Sequence, residues 1–140
     1  MLSLFSNVDQ AEDVYLLMMD ADGFKQINDR YGHVEGDHAL QAISAALKEV
    51  CSASGGFIAR YGGDEFVVLQ KATAEQDIMR LCAAISDELA RAEVPYLLRM
   101  SIGYARVGDG VDTWQDLLRA ADAELYRVKA EKKKAGIQIR

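Results

Sequence analysis

Four consecutive residues, Gly62-Gly63-Asp64-Glu65, interrupt two apolar runs and put adjacent carboxylates on what reads as a hairpin turn. Upstream, another carboxylate, Asp20, closes the apolar run 14–19. Carboxylates crowded into one place repel each other unless a cation sits among them. Their hard oxygens suit Mg²⁺, with Mn²⁺ as the alternative. Taken alone, a Gly-Gly-acid-acid segment describes a solvated turn equally well. The chemistry therefore depends on whether Asp20, Asp64 and Glu65 meet.

The periodicity of the chain predicts that they do. The unbroken apolar run 14–19 suits a strand buried on both faces. A short helix near 24–30 precedes a second one, whose inner face is Leu40, Ile43, Leu47 and Val50. Residues 56–61 and 66–70 flank the glycine pair as a hairpin. Ile78, Leu81, Cys82, Ile85 and Leu89 recur at helical spacing, and Pro95 breaks the chain before a long strand segment over 96–107. Leu117, Leu118, Ala121, Leu125 and Val128 mark the last amphipathic helix, and residues 137–140 are expected to close the sheet. The order β-α-α-β-β-α-β-α-β, with its central hairpin, predicts an α+β fold with a ferredoxin-like, antiparallel-dominated sheet. In that topology the first strand lies antiparallel to the second strand of the hairpin. The end of strand one and the hairpin tip then share one sheet edge, where three carboxylates from distant sequence converge.

With 140 residues, half of them apolar, the chain reads as one domain over 1–140 with a core large enough to stand without disulfides. The net charge of −6 argues against a nucleic-acid partner, although metal ions and a few local cations still permit a phosphorylated ligand. Cys51 and Cys82 lack any metal or redox spacing and read as small buried apolar residues. No apolar run approaches the ~18–20 residues of a membrane span. No secretory leader is visible, so the expected setting is the cytoplasm, and an anchor in a longer protein would lie ahead of residue 1.

"RYGGDEF" at 60–66, together with "DADGFKQINDRYGHVEGDHAL" at 20–40, resembles the GGDEF family of diguanylate cyclases. The likeness continues through "SIGYA" at 101–105 and "ADAELYRVK" at 121–129, in the family's order over nearly the whole chain. It implies the palm-like fold shared by polymerases and nucleotidyl cyclases, in agreement with the strand order above. The implied enzyme is a Mg²⁺-dependent nucleotidyltransferase that condenses two GTP into cyclic di-GMP, releasing two pyrophosphates. Each subunit binds one GTP, so turnover needs a homodimer, expected to be weak for this chain. The rival reading is a catalytically silent GTP-binding regulatory module of the same fold, though Gly62 to Phe66 are intact.

Residue by residue, the resemblance makes Asp20, Asp64 and the Ala21 carbonyl metal ligands. Asp64 and Glu65 become the catalytic pair, with Glu65 acting on the 3′-OH directly or through the metal. Gly62 and Gly63 would let the backbone approach phosphate and adopt φ > 0. Asp37 would read guanine through N1–H and the 2-amino group, with Asn28 as companion. Outside the motif, a helix cap is the favoured role for Asp37. Lys25 and Lys129 would hold the β- and γ-phosphates, and Phe24 belongs with the substrate residues, chiefly through packing, like Ile27, Tyr31, Tyr61 and Phe66. His33 is expected in a structural hydrogen bond, Asp22 and Asp29 as orienting neighbours, and Trp114 and Tyr126 in helix packing.

The chain also departs from the pattern. Lys133 stands where a phosphate-binding arginine is usual, keeping the charge but losing the bidentate fork; alternatively Lys132, Lys133 and Lys134 are a solvated helix end. Gly23 replaces a larger residue in the first metal loop. The charged pair of a product-inhibition site is missing, its positions being Ala53, Ser54, Gly55 and Gly56. The family's usual segment before strand one is absent from residues 1–13, and a sensory or receiver domain is expected to precede this one.

Overall fold

The computed structural model describes residues 13–108 and 113–136. Its elements run β1 (Asp13–Ala21), α1 (Phe24–Tyr31), α2 (His33–Ser52), β2 (Phe57–Gly62), β3 (Glu65–Ala72), α3 (Glu75–Ala90), β4 (Met100–Arg106) and α4 (Trp114–Lys134). The strands form one sheet in the order β2-β3-β1-β4, and β1 is antiparallel to both neighbours. This is the α+β arrangement predicted. The proposed closing strand at 137–140 and the lead-in at 1–12 lie outside the described residues.

The unbroken apolar run of β1 has a simple cause. Successive strand residues face opposite sides, and here both sides are covered. Tyr15, Leu17 and Met19 join the larger core with Leu40, Ile43 and Leu47 of α2 and Ile78 and Ile85 of α3. Val14, Leu16 and Met18 join the second core with Leu117, Ala121 and Leu125 of α4. Even-numbered β1 positions therefore face α4. Contact there is close: a Cβ on Gly103 of β4 would stand 2.1 Å from the Leu125 backbone nitrogen. Trp114 packs against this second core, as expected.

Several local expectations are corrected. Helix α2 starts at His33, so Asp37 sits inside it and does not cap it. Strand β4 starts at Met100; residues 95–99 before it form an irregular strap in which Leu97 is exposed, Leu98 is buried and the Tyr96 hydroxyl bonds to Glu35. Tyr61 and Tyr126 are exposed, the latter at 77%, so neither is packing. Phe66 and Ile27 are buried as predicted. Cys51 is fully buried and Cys82 partly so; burial pushes both thiols up to about 11, which leaves them protonated and unreactive. His33 is exposed and makes no side-chain hydrogen bond among the described residues.

Candidate active site

The register of the sheet delivers the site. Asp20 pairs with Glu65 across β1 and β3, and the Ala21 N–H donates to the Asp64 carbonyl at 3.4 Å. Asp20 and Asp64 are buried, at 2% and 9% exposure. Asp20, Ala21, Asp64 and Glu65 thus lie together at one sheet edge, as topology predicted. The side chains do not, however, close on one point. Among the described residues, no three His, Cys, Asp or Glu side chains form a metal-ligating group.

The reason is that a cation already engages Asp20. As an even-numbered β1 residue it faces α4, where Lys129 Nζ donates to its Oδ2. Asp22 leaves β1 on the same side: Lys132 Nζ donates to Asp22 Oδ2 at 2.5 Å, and Ser101 Oγ donates to Oδ1 at 2.6 Å. Stripping the cation from such a buried pair costs about 3–5 kcal/mol. That ammonium contact tests the metal reading: this edge holds a positive charge against Asp20. Two carboxylates and a carbonyl are also what Mg²⁺ needs from protein, its remaining positions going to water and phosphate. The donor set fits.

The hairpin glycines act differently from the expectation. Neither Gly62 nor Gly63 is among the positive-φ glycines. Gly62 instead leaves room for Glu65, whose Oε1 would lie 3.1 Å from a Cβ there. A Cβ on Gly63 would meet nothing within 4 Å, so its backbone faces open space. Its carbonyl accepts from Arg60 Nε at 3.0 Å and Nη2 at 2.6 Å, bonds that brace the tip. Left-handed backbone occurs in the loop after β1, at Gly23 (φ 67), immediately before α1. That conformation accounts for glycine at a position where a larger residue was expected.

The second half of the site lies where α1 meets α2. The turn between them is Gly32, with φ 91. Asn28 of α1 lies flat on α2, since a Cβ on Gly36 would stand 1.9 Å from its Oδ1. Gly36, the residue before Asp37, thereby makes room for Asn28. The sequence reading assigned Gly36 no role; its place between the two candidate base-reading residues was the available signal. Asp37 is exposed and, with capping excluded, makes no side-chain hydrogen bond among the described residues. The irregular strap braces this junction. Tyr31 donates to the Pro95 carbonyl at 3.2 Å, and the Tyr96 hydroxyl reaches the Glu35 carbonyl at 3.1 Å and its carboxylate at 3.3 Å. Burial, and then the Glu35 carboxylate, push the Tyr96 hydroxyl up to about 12.

Phe24 is half-buried against the main core, while Lys25 and Lys133 are exposed. Asp29 is exposed and orients nothing through a side-chain hydrogen bond, whereas Asp22 is the buried hub just described. A surface cavity of about 530 Å³ is lined by Glu35, His38, Glu49, Glu88 and Arg91 among others and shares no residue with the hairpin. Its acidic lining is unsuited to a triphosphate.

The family profile for the GGDEF domain of diguanylate cyclases matches residues 2–135. Diguanylate cyclase DgcM of Escherichia coli K12 is 38% identical over 121 residues, which are 85% of this chain and 29% of that protein. Diguanylate cyclase A of Treponema denticola is 30% identical over 129 residues, 89% of this chain and 34% of that protein. The chain thus spans about a third of these relatives. Among solved structures, the GGDEF domain of a Pseudomonas aeruginosa protein known as YfiN or TpbB aligns with a TM-score of 0.83 at 30% identity, covering 93% of this chain and 84% of that one.

Proposed function

The chain belongs to the GGDEF family of diguanylate cyclase domains, and from that premise we propose that it condenses two GTP into cyclic di-GMP across a pair of facing subunits. The observation that carries this reading is the β1–β3 register, which sets Asp20 opposite Glu65 with Asp64 alongside. In each of the two condensations, a 3′-oxygen forms a bond to the α-phosphorus of the other GTP. The α–β phosphoanhydride bond breaks, and pyrophosphate leaves.

Asp20, Asp64 and the Ala21 carbonyl would hold Mg²⁺, which when bound supplies charge neutralisation of the triphosphate and favours the 3′-alkoxide. Glu65, lying over Gly62, is the group placed to take the 3′-OH proton. Lys129, which engages Asp20 on the same edge, would supply its positive charge to the phosphate oxygens. Lys25 and Lys133 reach the outer phosphates from the surface. Asn28 and Asp37 read guanine: the carboxylate accepts from N1–H and the 2-amino group, whereas adenine presents an acceptor at N1.

One nucleotide per subunit means that a folded, loaded monomer makes nothing. The test is incubation with GTP and Mg²⁺ over a hundredfold range of protein concentration, with cyclic di-GMP quantified. Specific activity should rise with concentration, and fusion of a dimeric coiled coil ahead of residue 1 should raise it at low concentration. Calorimetric GTP binding with no product at any concentration would leave only a silent binding module. Constant specific activity from a monomer would overturn the paired-site mechanism.

A further inference from the structure

Asp22 is not needed as a metal ligand, yet it is only 7% exposed. Its N–H donates to the Arg99 carbonyl at 2.8 Å, and both carboxylate oxygens are engaged, Oδ1 accepting from Ser101 and Oδ2 from Lys132. Lys132 Nζ also donates to the Met100 carbonyl at 3.0 Å. A single ammonium thus joins the loop after β1, the first residue of β4 and the last turn of α4. Lys132 is only 23% exposed, although Glu131, Lys133 and Lys134 around it are exposed. A solvated helix-end lysine would keep its rotamer freedom; this one has given it up.

We propose that Lys132 is a positioning residue for the metal- and phosphate-binding edge. It does two things there. It takes Asp22 out of competition with Asp20, two residues away on the same side, for one cation. It also fixes the end of α4, and Lys129, one turn back on the same helix face, is thereby aimed at Asp20. This deepens the nucleotide reading above and rests on it. Residue order carries no sign of the clamp, because its partners lie 110 residues apart.

The test compares Lys132→Met, Asp22→Asn, the double variant and Lys132→Arg. One readout is hydrogen exchange of residues 20–24 in the protein alone. The other is calorimetric affinity for an α,β-methylene GTP analogue with Mg²⁺. Lys132→Met should speed exchange in the loop and weaken analogue binding about tenfold, as expected for loss of one partner of a buried pair. The double variant should recover most of that affinity, because a neutral amide no longer competes with Asp20. Lys132→Arg should behave like wild type, which keeps the test open if the methionine variant fails to fold. Unchanged exchange and affinity in Lys132→Met would make Lys132 a solvated helix end. A loss that Asp22→Asn does not recover would make it a direct phosphate contact. If the wild type binds no analogue, the GTP reading fails by itself, and unchanged loop exchange in Lys132→Met still decides against the clamp.

Discussion

The two halves of the candidate site are built on opposite plans. The proposed catalytic edge is a buried sheet end: Asp20, Asp22 and Asp64 are each less than a tenth exposed, and lysines from α4 already hold the first two. The α1–α2 junction leaves Lys25 and Asp37 in solvent and fixes only the backbone beneath them, through Gly36, Gly32 and the Tyr31–Tyr96 strap. The difference follows from the tasks. Charge that must act on a reaction centre is stronger in a low-dielectric setting and needs no reorganisation when substrate arrives. Base recognition needs only complementary donors and acceptors, which water can cover until the base displaces it. Rigidity of the side chains matters on the first plan, and rigidity of the platform on the second.

Substitutions on the two sides should therefore fail differently. The largest effect belongs to the buried edge. Asp64→Asn should reduce cyclic di-GMP formation by a factor on the order of 10³ or more and weaken Mg²⁺-dependent GTP binding, both read by product assay and calorimetry. Glu65→Gln should cost comparable turnover with little loss of GTP affinity. Wild-type rates in both variants would remove the hairpin from the chemistry. On the exposed side, Asp37→Ser should leave the Mg²⁺ requirement intact and erode GTP-over-ATP preference by about tenfold to a hundredfold, or about 1–3 kcal/mol. Competition binding measures it, and unchanged discrimination would return Asp37 to an inert surface residue.

Gly36→Ala sharpens the contrast, because it touches no ligand. Its Cβ displaces Asn28, so discrimination should fall about threefold to tenfold while turnover at saturating GTP is largely kept. A loss confined to turnover would place Asn28 on the wrong side of the division. The smallest effect concerns the strap. Tyr96 has an ordinary value of 10.0 and is pushed to about 12 in the fold, so the folded state keeps its proton longer than the unfolded chain does. Its contribution to stability is complete below pH ~10 and is lost as pH rises towards ~12. Tyr104, raised similarly by burial and then by Glu75, acts in the same window. Denaturant melts of Tyr96→Phe should therefore show a shallower alkaline decline than wild type, with Tyr104 retaining the rest.

How much of this was legible depended on distance in sequence and on whether a periodic pattern carried the information. The two-faced burial of β1 and the apolar stripes of α2 and α4 are written in side-chain order, and the sheet order followed from them. Convergence of Asp20 with the hairpin followed in turn, because antiparallel pairing admits few registers once the turn is placed. Backbone dihedrals were read less well: the glycine pair was expected to take positive φ, yet only Gly62 uses its missing Cβ, to admit Glu65, and Gly23 takes the left-handed conformation. Contacts between elements left no periodic trace. Lys132 with Asp22, Asn28 with Gly36 and Tyr96 with Glu35 each join residues whose types alone suit a solvated surface equally well.

The turn at residues 53–56 carries a consequence for how this domain could change over generations. An acidic side chain at Gly56 would start 2.4 Å from Gln70 Oε1 and 3.0 Å from the Cys51 carbonyl. Gln70 cannot step aside freely, because its amide donates to the Ser54 carbonyl at 2.9 Å and the Lys71 carbonyl at 3.2 Å. A lineage gaining a charged pair here would first have to shrink Gln70, which orphans the Ser54 carbonyl it serves, or first add the acid against a filled space. Either first step is a loss. The route from this uncharged turn to a charged one is a valley, and descendants of this sequence are more easily restrained by new partners than by a charged pair at this surface.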